Sequence, residues 1–371
     1  MSVRARLRHS SAVAVVSALT AGSALLLTAC DPSADAGSAR LGAAAPVTSS
    51  PKAATPSTGT TAADTTTTTT AATTAAPRPS GSPTAATAAP RPAAPAAAAT
   101  GAPNPAKATG LTVSSGTRYV LMDGRSVDFG TVVRDLTWSP DGKHAAFIDG
   151  NGNLQTSDPD GGHKTLIAKA PTGTTWSHPT WQVYLPNAAE PYLKPKNNLL
   201  FTADDHGTLR LLGVPAQAGA TPAALSLNTF SGDDLPPLPK TGNQWPNAAG
   251  KYGSAVYANQ ADGQVYLRDD YLRQQGMAVA KGSQPDLSDE GDLVFVRSVD
   301  GHDHLFVKPD GFGGTERDLT PDTTADCTEP AFSPDGKTVA FRTPDGVWTV
   351  PAKGGKPVRA TDTVGLPAYR G

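Results

Sequence analysis

Cysteine is nearly absent: the 371-residue chain has two, Cys30 and Cys327. That count excludes a disulfide framework and a cysteine-rich zinc site. Aromatic residues are scarce and one-sided, since all 22 lie at or after Tyr119. Residues 1–110 therefore have little from which to build a core. Positive charge is also short where folding is expected. Residues 111–371 hold 23 Lys and Arg against 30 Asp and Glu, a net charge of −7. Such a surface repels a phosphate backbone, so no nucleic acid is expected as partner. The chain has no Gly-x-Ser-x-Gly elbow and no His-Glu-x-x-His pair, the signatures of two common hydrolytic centres.

What is present begins with an export signal. Arg4, Arg6 and Arg8 precede an uncharged, mostly apolar stretch of 16 residues, Ala12 to Leu27. This is shorter than the roughly 20 apolar residues of a membrane-spanning helix and has the layout of a secretory signal. Leu27-Thr28-Ala29-Cys30 follows at once. These four residues resemble the lipobox of bacterial lipoproteins. The resemblance implies cleavage after residue 29 and lipidation of Cys30, with the chain held at the outer face of the cell membrane by its acyl chains.

Residues 31–110 are low in complexity: Ala, Thr, Pro, Ser and Gly make up 69 of these 80 residues. The alanine tracts are interrupted by Pro77, Pro79, Pro83, Pro90, Pro92 and Pro95, each of which breaks a helix. A segment this polar and aromatic-free cannot offset the entropy of ordering, so it reads as a disordered or partly polyproline-II spacer. The expected organisation is a signal at 1–29, a lipidated cysteine with its linker at 30–110, and a folded domain at 111–371.

The folded domain is a repeat. Asp135-Leu136-Thr137-Trp138-Ser139-Pro140-Asp141-Gly142-Lys143 returns as Glu329-Pro330-Ala331-Phe332-Ser333-Pro334-Asp335-Gly336-Lys337. A degraded copy begins at Gln284-Pro285, and His178-Pro179, Trp245-Pro246 and Leu366-Pro367 open three more. Anchored at Leu136, Pro179, Pro246, Pro285, Pro330 and Pro367, the spacings are 43, 67, 39, 45 and 37. Periods near 40 to 45 are those of four-stranded propeller blades. Each copy has an anchor strand, a Pro-Asp-Gly type turn, a strand rich in β-formers, a second turn and two more strands. The expected fold is all-β, a six-bladed propeller. Its last blade is shared, with Leu366–Tyr369 in front of strands at Tyr119–Met122 and Val127–Val133. Such closure removes open sheet edges. Three strands are expected there.

Ser-Pro-Asp-Gly-Lys followed by small or β-branched residues and Phe resembles the signature of TolB-like (PD40) propeller repeats. The match is close at 135–168 and 329–361 and weaker between them, and it extends over 116–371. The resemblance implies a fold and a binding role without a named ligand. TolB itself has an amino-terminal α/β domain, where this chain has its linker, so the TolB partnership is not carried over.

Five residues stand just before the anchors: Asp135, His178, Trp245, Gln284 and Glu329. In a propeller the first strand of each blade lines the channel, so these positions are expected to ring one channel mouth. Carboxylates and an imidazole suit a cation or a basic or hydroxylated ligand, and the indole suits a ring. The alternative is that they are polar strand ends facing channel water. Two insertions, Tyr184–Lys196 and Ser231–Asn243, lengthen the 67-residue unit, and long loops on rigid repeats often carry function. The second holds Leu235–Pro239, a candidate polyproline-II segment. His302 and His304 flank Asp303, and Asp149–Asn153 is similar to the start of a calcium loop, but neither set provides a complete metal site. No metal or cofactor is expected. The reading is a monomeric, lipid-anchored, non-enzymatic scaffold for an envelope protein or cell-wall ligand. The alternatives are a lyase- or lactonase-type propeller enzyme with a channel metal, and a sensor lipoprotein acting on a membrane signalling protein.

Overall fold

The structure, a computed structural model, describes residues 109–229, 237–271, 275–311 and 313–371. The signal, Cys30 and the linker up to residue 108 lie outside the described residues. So does 230–236, which holds the start of the Leu235–Pro239 run.

The described residues form six sheets, antiparallel but for one short edge strand, and no helix; the sheets are the six blades of a propeller. Blades 1 to 5 occupy 134–168, 174–224, 243–281, 283–318 and 328–361 in chain order. The second strand of each is apolar on both faces: Ala145–Ile148 in blade 1 and the first four residues of Leu293–Val299 in blade 4 are wholly buried. The reason lies in the packing. Six clusters of buried side chains hold the described residues together, and each one straddles a seam between neighbouring blades. At the seam of blades 1 and 2, Ile148, Leu154 and Ile167 meet Trp176, Leu199 and Phe201. At the seam of blades 4 and 5, Val294 and Leu305 meet Val339 and Phe341. A middle strand faces a seam on either side, so the alternation of a half-exposed strand is lost.

The repeated turn is built the same way in its two close copies. Ser139 Oγ donates to Asp141 Oδ1 at 2.6 Å and accepts from the His144 amide at 3.0 Å. Ser333 Oγ donates to Asp335 Oδ1 at 2.7 Å and accepts from the Thr338 amide at 3.0 Å. The degraded copy keeps only the serine's acceptor role, Ser288 Oγ receiving the Asp292 amide at 2.9 Å. Its aspartate has slipped out of register, which explains why this repeat is faint in sequence.

The sixth blade corrects one expectation. It has four strands, not three, in the order Leu366–Tyr369, Leu111–Ser114, Tyr119–Met122, Arg125–Asp128. The strand at Leu111–Ser114 is missing from the sequence reading because it abuts the linker and carries one large apolar residue. It, rather than Tyr119–Met122, pairs with the carboxyl-terminal strand, Thr112 opposite Ala368 and Val113 opposite Pro367. The fourth strand ends at Asp128, and Phe129 to Val133 leave the sheet to cover the seam, where both end residues are fully buried. Two further departures are local. The outer strands of blades 2 and 4 shrink to Ala223–Ala224 and Arg317–Asp318. Blade 3 gains a fifth strand, Asn228–Thr229, parallel to Gln275–Lys281.

The clasp has a buried polar core. Thr112 Oγ1 donates to the Ala368 carbonyl at 2.9 Å and accepts the Trp138 indole N–H at 3.0 Å. Arg370 lies over the Trp138 ring and donates from Nε to the Gly142 carbonyl at 2.8 Å. Gly142 has φ +63°, and a Cβ there would stand 2.3 Å from the Gly371 carbonyl oxygen. One hydroxyl thus serves the first and last strands of the chain and the innermost strand of blade 1. Thr112→Val keeps the shape but orphans the indole N–H, which costs about 1–3 kcal/mol. Thermal unfolding followed by circular dichroism is expected to show a fall of roughly 2–10 °C in Tm, with Thr112→Ser close to the parent protein.

Candidate functional site: the central channel

The five residues before the anchors share a backbone state. Asp135, His178, Trp245, Gln284 and Glu329 all have positive φ, between 48° and 54°. Each sits at a bulge in the innermost strand, where the register to the second strand slips. In blades 2 to 5 a proline follows and is buried. Proline has no N–H to give to a ladder, and a bulge leaves that position unpaired. The sixth blade has Leu366 here, before Pro367, in continuous register and without positive φ.

The bulges bring the five side chains together at one end of a channel cavity of about 720 Å³. His178 of blade 2 and Glu329 of blade 5 belong to opposite blades, yet His178 Nε2 stands 3.4 Å from Glu329 Oε1. Asp135 Oδ2 accepts the His178 amide at 3.1 Å, and Gln284 Oε1 accepts the Glu329 amide at 2.6 Å. Trp245 meets the His178 ring edge-on, 6.0 Å between centroids. Two of the five side chains are thus spent on fixing their neighbours, and the ring spans the channel like a floor. Burial lowers the His178 pKa, but Glu329 and then Asp135 outweigh it and hold the imidazole above its ordinary value.

Two residues beyond each bulge, a second tier locks the blades. Thr180 Oγ1 accepts the Ala248 amide at 3.0 Å, Asn247 Oδ1 the Leu287 amide at 3.1 Å, and Asp286 Oδ2 the Phe332 amide at 2.7 Å. Three successive seams carry the same bond. Burial pushes the Asp286 carboxyl up to about 7, against the opposing pull of the Phe332 amide and Asn247.

The other end of the cavity is rimmed by the first insertion and its neighbours, and Tyr184, Leu185 and Lys251 line it there. Four of the eight tyrosines gather at this rim. Tyr184 stacks near Tyr252 at 5.9 Å, Tyr252 lies 4.4 Å from Tyr271, and the Tyr192 and Tyr271 hydroxyls are 2.9 Å apart. Glu190 binds Lys251 Nζ at 2.7 Å and accepts the Tyr252 hydroxyl at 2.8 Å. Those two contacts hold its carboxyl below the usual range. Tyr192 and Leu185 remain largely exposed. Beneath the rim, the buried Asp270 carboxylate is shared by Arg268, Lys196 at 2.6 Å and Gln182 at 2.8 Å. Burial, then Arg268, lower Lys196 to about 8. This network ties the end of the insertion to blade 3. The insertion was visible in the sequence, but its tyrosine partners were not, because Tyr252 and Tyr271 come from another blade.

The remaining candidates resolve as structure. Asp149 accepts the Asn151 and Asn153 amides at 2.8 and 2.9 Å, capping a blade turn. His304 is buried against Asp318 at 2.8 Å, while His302 faces Asp326. Among the described residues no group of three or more His, Cys, Asp or Glu could hold a metal ion. Cys327 is buried, and burial raises its thiol pKa.

A scan against protein families finds no match, and a search of characterised proteins finds no relative. Solved structures do match. TolB from Agrobacterium tumefaciens is 18% identical with a TM-score of 0.50, over 69% of this chain and 89% of that one. The fold is a TolB-like six-bladed propeller. TolB from Acinetobacter baumannii is 16% identical with a TM-score of 0.49 over 70% of this chain, which spans 65% of that protein.

Asp286 and His178 titrate in the same direction. Each has a folded pKa above its ordinary value, so each contributes stability below that ordinary value and loses it as pH rises through the folded one. For Asp286 the window runs from about 4 to about 7. The domain is expected to be more stable at pH 5 than at pH 8. Asp286→Asn keeps an acceptor for the Phe332 amide and removes the charge. Denaturant titrations across this range should find the variant equal at pH 4 and more stable than the parent by about 1–3 kcal/mol at pH 8; parallel pH profiles would rule out the assignment.

Proposed function

We propose that this chain is a lipid-anchored, extracytoplasmic binding scaffold that holds an envelope protein or cell-wall ligand without transforming it. One observation carries the reading: the channel is one-sided. Its floor is the ring of Asp135, His178, Trp245, Gln284 and Glu329, where opposite blades come within 3.4 Å. Its entrance is the tyrosine rim, where Tyr192 and Leu185 are exposed and hydroxyls are held in place. Rigid aromatic groups with a polar tip are what a recognition surface needs, since they bury area at little entropic cost. The carboxylates of the floor favour a ligand that presents a cationic or hydroxylated group inward. The export layout and Leu27–Cys30 supply the anchor, and the Ala/Thr/Pro-rich linker supplies reach. The Ser-Pro-Asp-Gly-Lys repeats are read as PD40 units on the strength of the motif.

Two measurements test it in intact cells. Feeding an alkyne-labelled fatty acid should label the parent chain and not Cys30→Ala, which should leave the membrane fraction. A photo-crosslinking residue at Leu185 or Tyr192 should capture a partner that the same group at Tyr119, exposed on the sixth blade, does not. Labelling of Cys30→Ala, or equal capture from both sites, would defeat the proposal.

A further inference from the structure

A second cavity, of about 470 Å³, lies on the far side of blade 2 from the tyrosine rim, against the end of blade 1. Its floor follows from strand register. Trp176 and Arg210 are both cross-strand partners of Ala203, and Thr174 and Thr208 are both partners of Asp205. Residues two apart share a face, so these rows lie side by side on one face of the blade. Ala203, between an indole and a guanidinium, is the small residue that leaves room. Lys169 stands at the end of blade 1, and the segment through Ala220 closes the side, pinned by the Gly219 amide to the Leu166 carbonyl at 3.2 Å.

The donors here are unclaimed. Among the described residues, neither Arg210 nor Lys169 has an ion pair or a side-chain hydrogen bond. The Trp176 indole N–H, on a side chain 97% buried by its 3% exposure, has no acceptor. The acidic member, Asp205, already faces His206 Nδ1 at 2.8 Å. Two free cations and an orphaned buried N–H around an apolar floor are unexpected in a domain with net charge −7. A buried donor without an acceptor calls for a ligand that supplies one.

We infer that this cavity is a binding site for a small organic carboxylate, its anionic group held by Arg210 and Lys169 and accepting the Trp176 indole N–H, and its apolar body over Ala203 and Leu212. The guanidinium offers a bidentate fork to the carboxylate. The size is that of small-molecule pockets.

The test uses the full chain and three probes with one ring and different charge: benzoate, benzamidine and benzyl alcohol. Calorimetric titration is expected to show saturable binding of benzoate alone, with a change in tryptophan fluorescence and a raised Tm. Arg210→Gln, on an exposed side chain, should leave Tm unchanged without ligand and weaken benzoate at least tenfold. Trp176→Phe should weaken it less and abolish most of the fluorescence change. Phenyl phosphate is the fourth probe: weaker binding than benzoate supports the assignment to a carboxylate, and tighter binding overturns it. Equal binding of benzoate and benzamidine, or benzoate binding untouched by Arg210→Gln, marks an adventitious additive only and overturns the proposal.

Discussion

A four-stranded blade has two apolar faces and no interior of its own. The whole domain depends on covering those faces, and the solution is a ring in which each blade is the lid of the next. Six seam clusters take the place of one central core. Burial at each seam works only if the first and last blades meet as well. The clasp of Leu366–Tyr369 on Leu111–Ser114 therefore completes the last sheet and covers two seams. Its buried Thr112 hydroxyl, bonded to both Trp138 and Ala368, makes that junction specific rather than merely apolar.

The channel inherits its character from the bulges. Five non-glycine residues held at positive φ cost of order 1–3 kcal/mol each. They persist because the bulge and the neighbouring blade, joined in four of the five by a following proline, fix the backbone there. The strain is a property of the scaffold repeated in five blades, and what varies is the side chain delivered to the ring. A bulge re-aims a residue that regular pleating would send into a seam, so polar and charged groups can be placed at the axis without breaching an apolar cluster. The second tier, Thr180, Asn247 and Asp286, uses the same axis to bond blade to blade.

Function is expected where the repeat is broken. Blade 2 departs most from the pattern: its first two strands are long, Thr174–Tyr184 and Lys196–Asp205, and its outer strand is two residues. The lengthened strands carry the insertion to the channel mouth, where it meets the tyrosines of blade 3. The shortened outer strand and the segment before it leave the side cavity beside blade 1. A buried Asp270 carrying two cations is a poor source of net stability. It fixes where Lys196 and the insertion sit, and thereby the rim.

Much of this was legible in the residues. The period, the Ser-Pro-Asp-Gly turns, the count of six and the sharing of a blade between chain ends follow from spacing and from the need of every sheet edge for a partner. The five pre-anchor residues could be named because the repeat put them in equivalent places. Two matters were beyond reach. Leu111–Ser114 is too short and too mixed to announce a strand until Tyr369 pairs with it. The rim needed Tyr184, Tyr252 and Tyr271 to meet across two blades. Local chemistry, repeated, determined the strands, the turns and the ring. Which side chains met across the seams and the channel was decided only in three dimensions, because contacts between residues about 40 or more apart depend on closure of the ring and leave no trace in the order of the residues that make them.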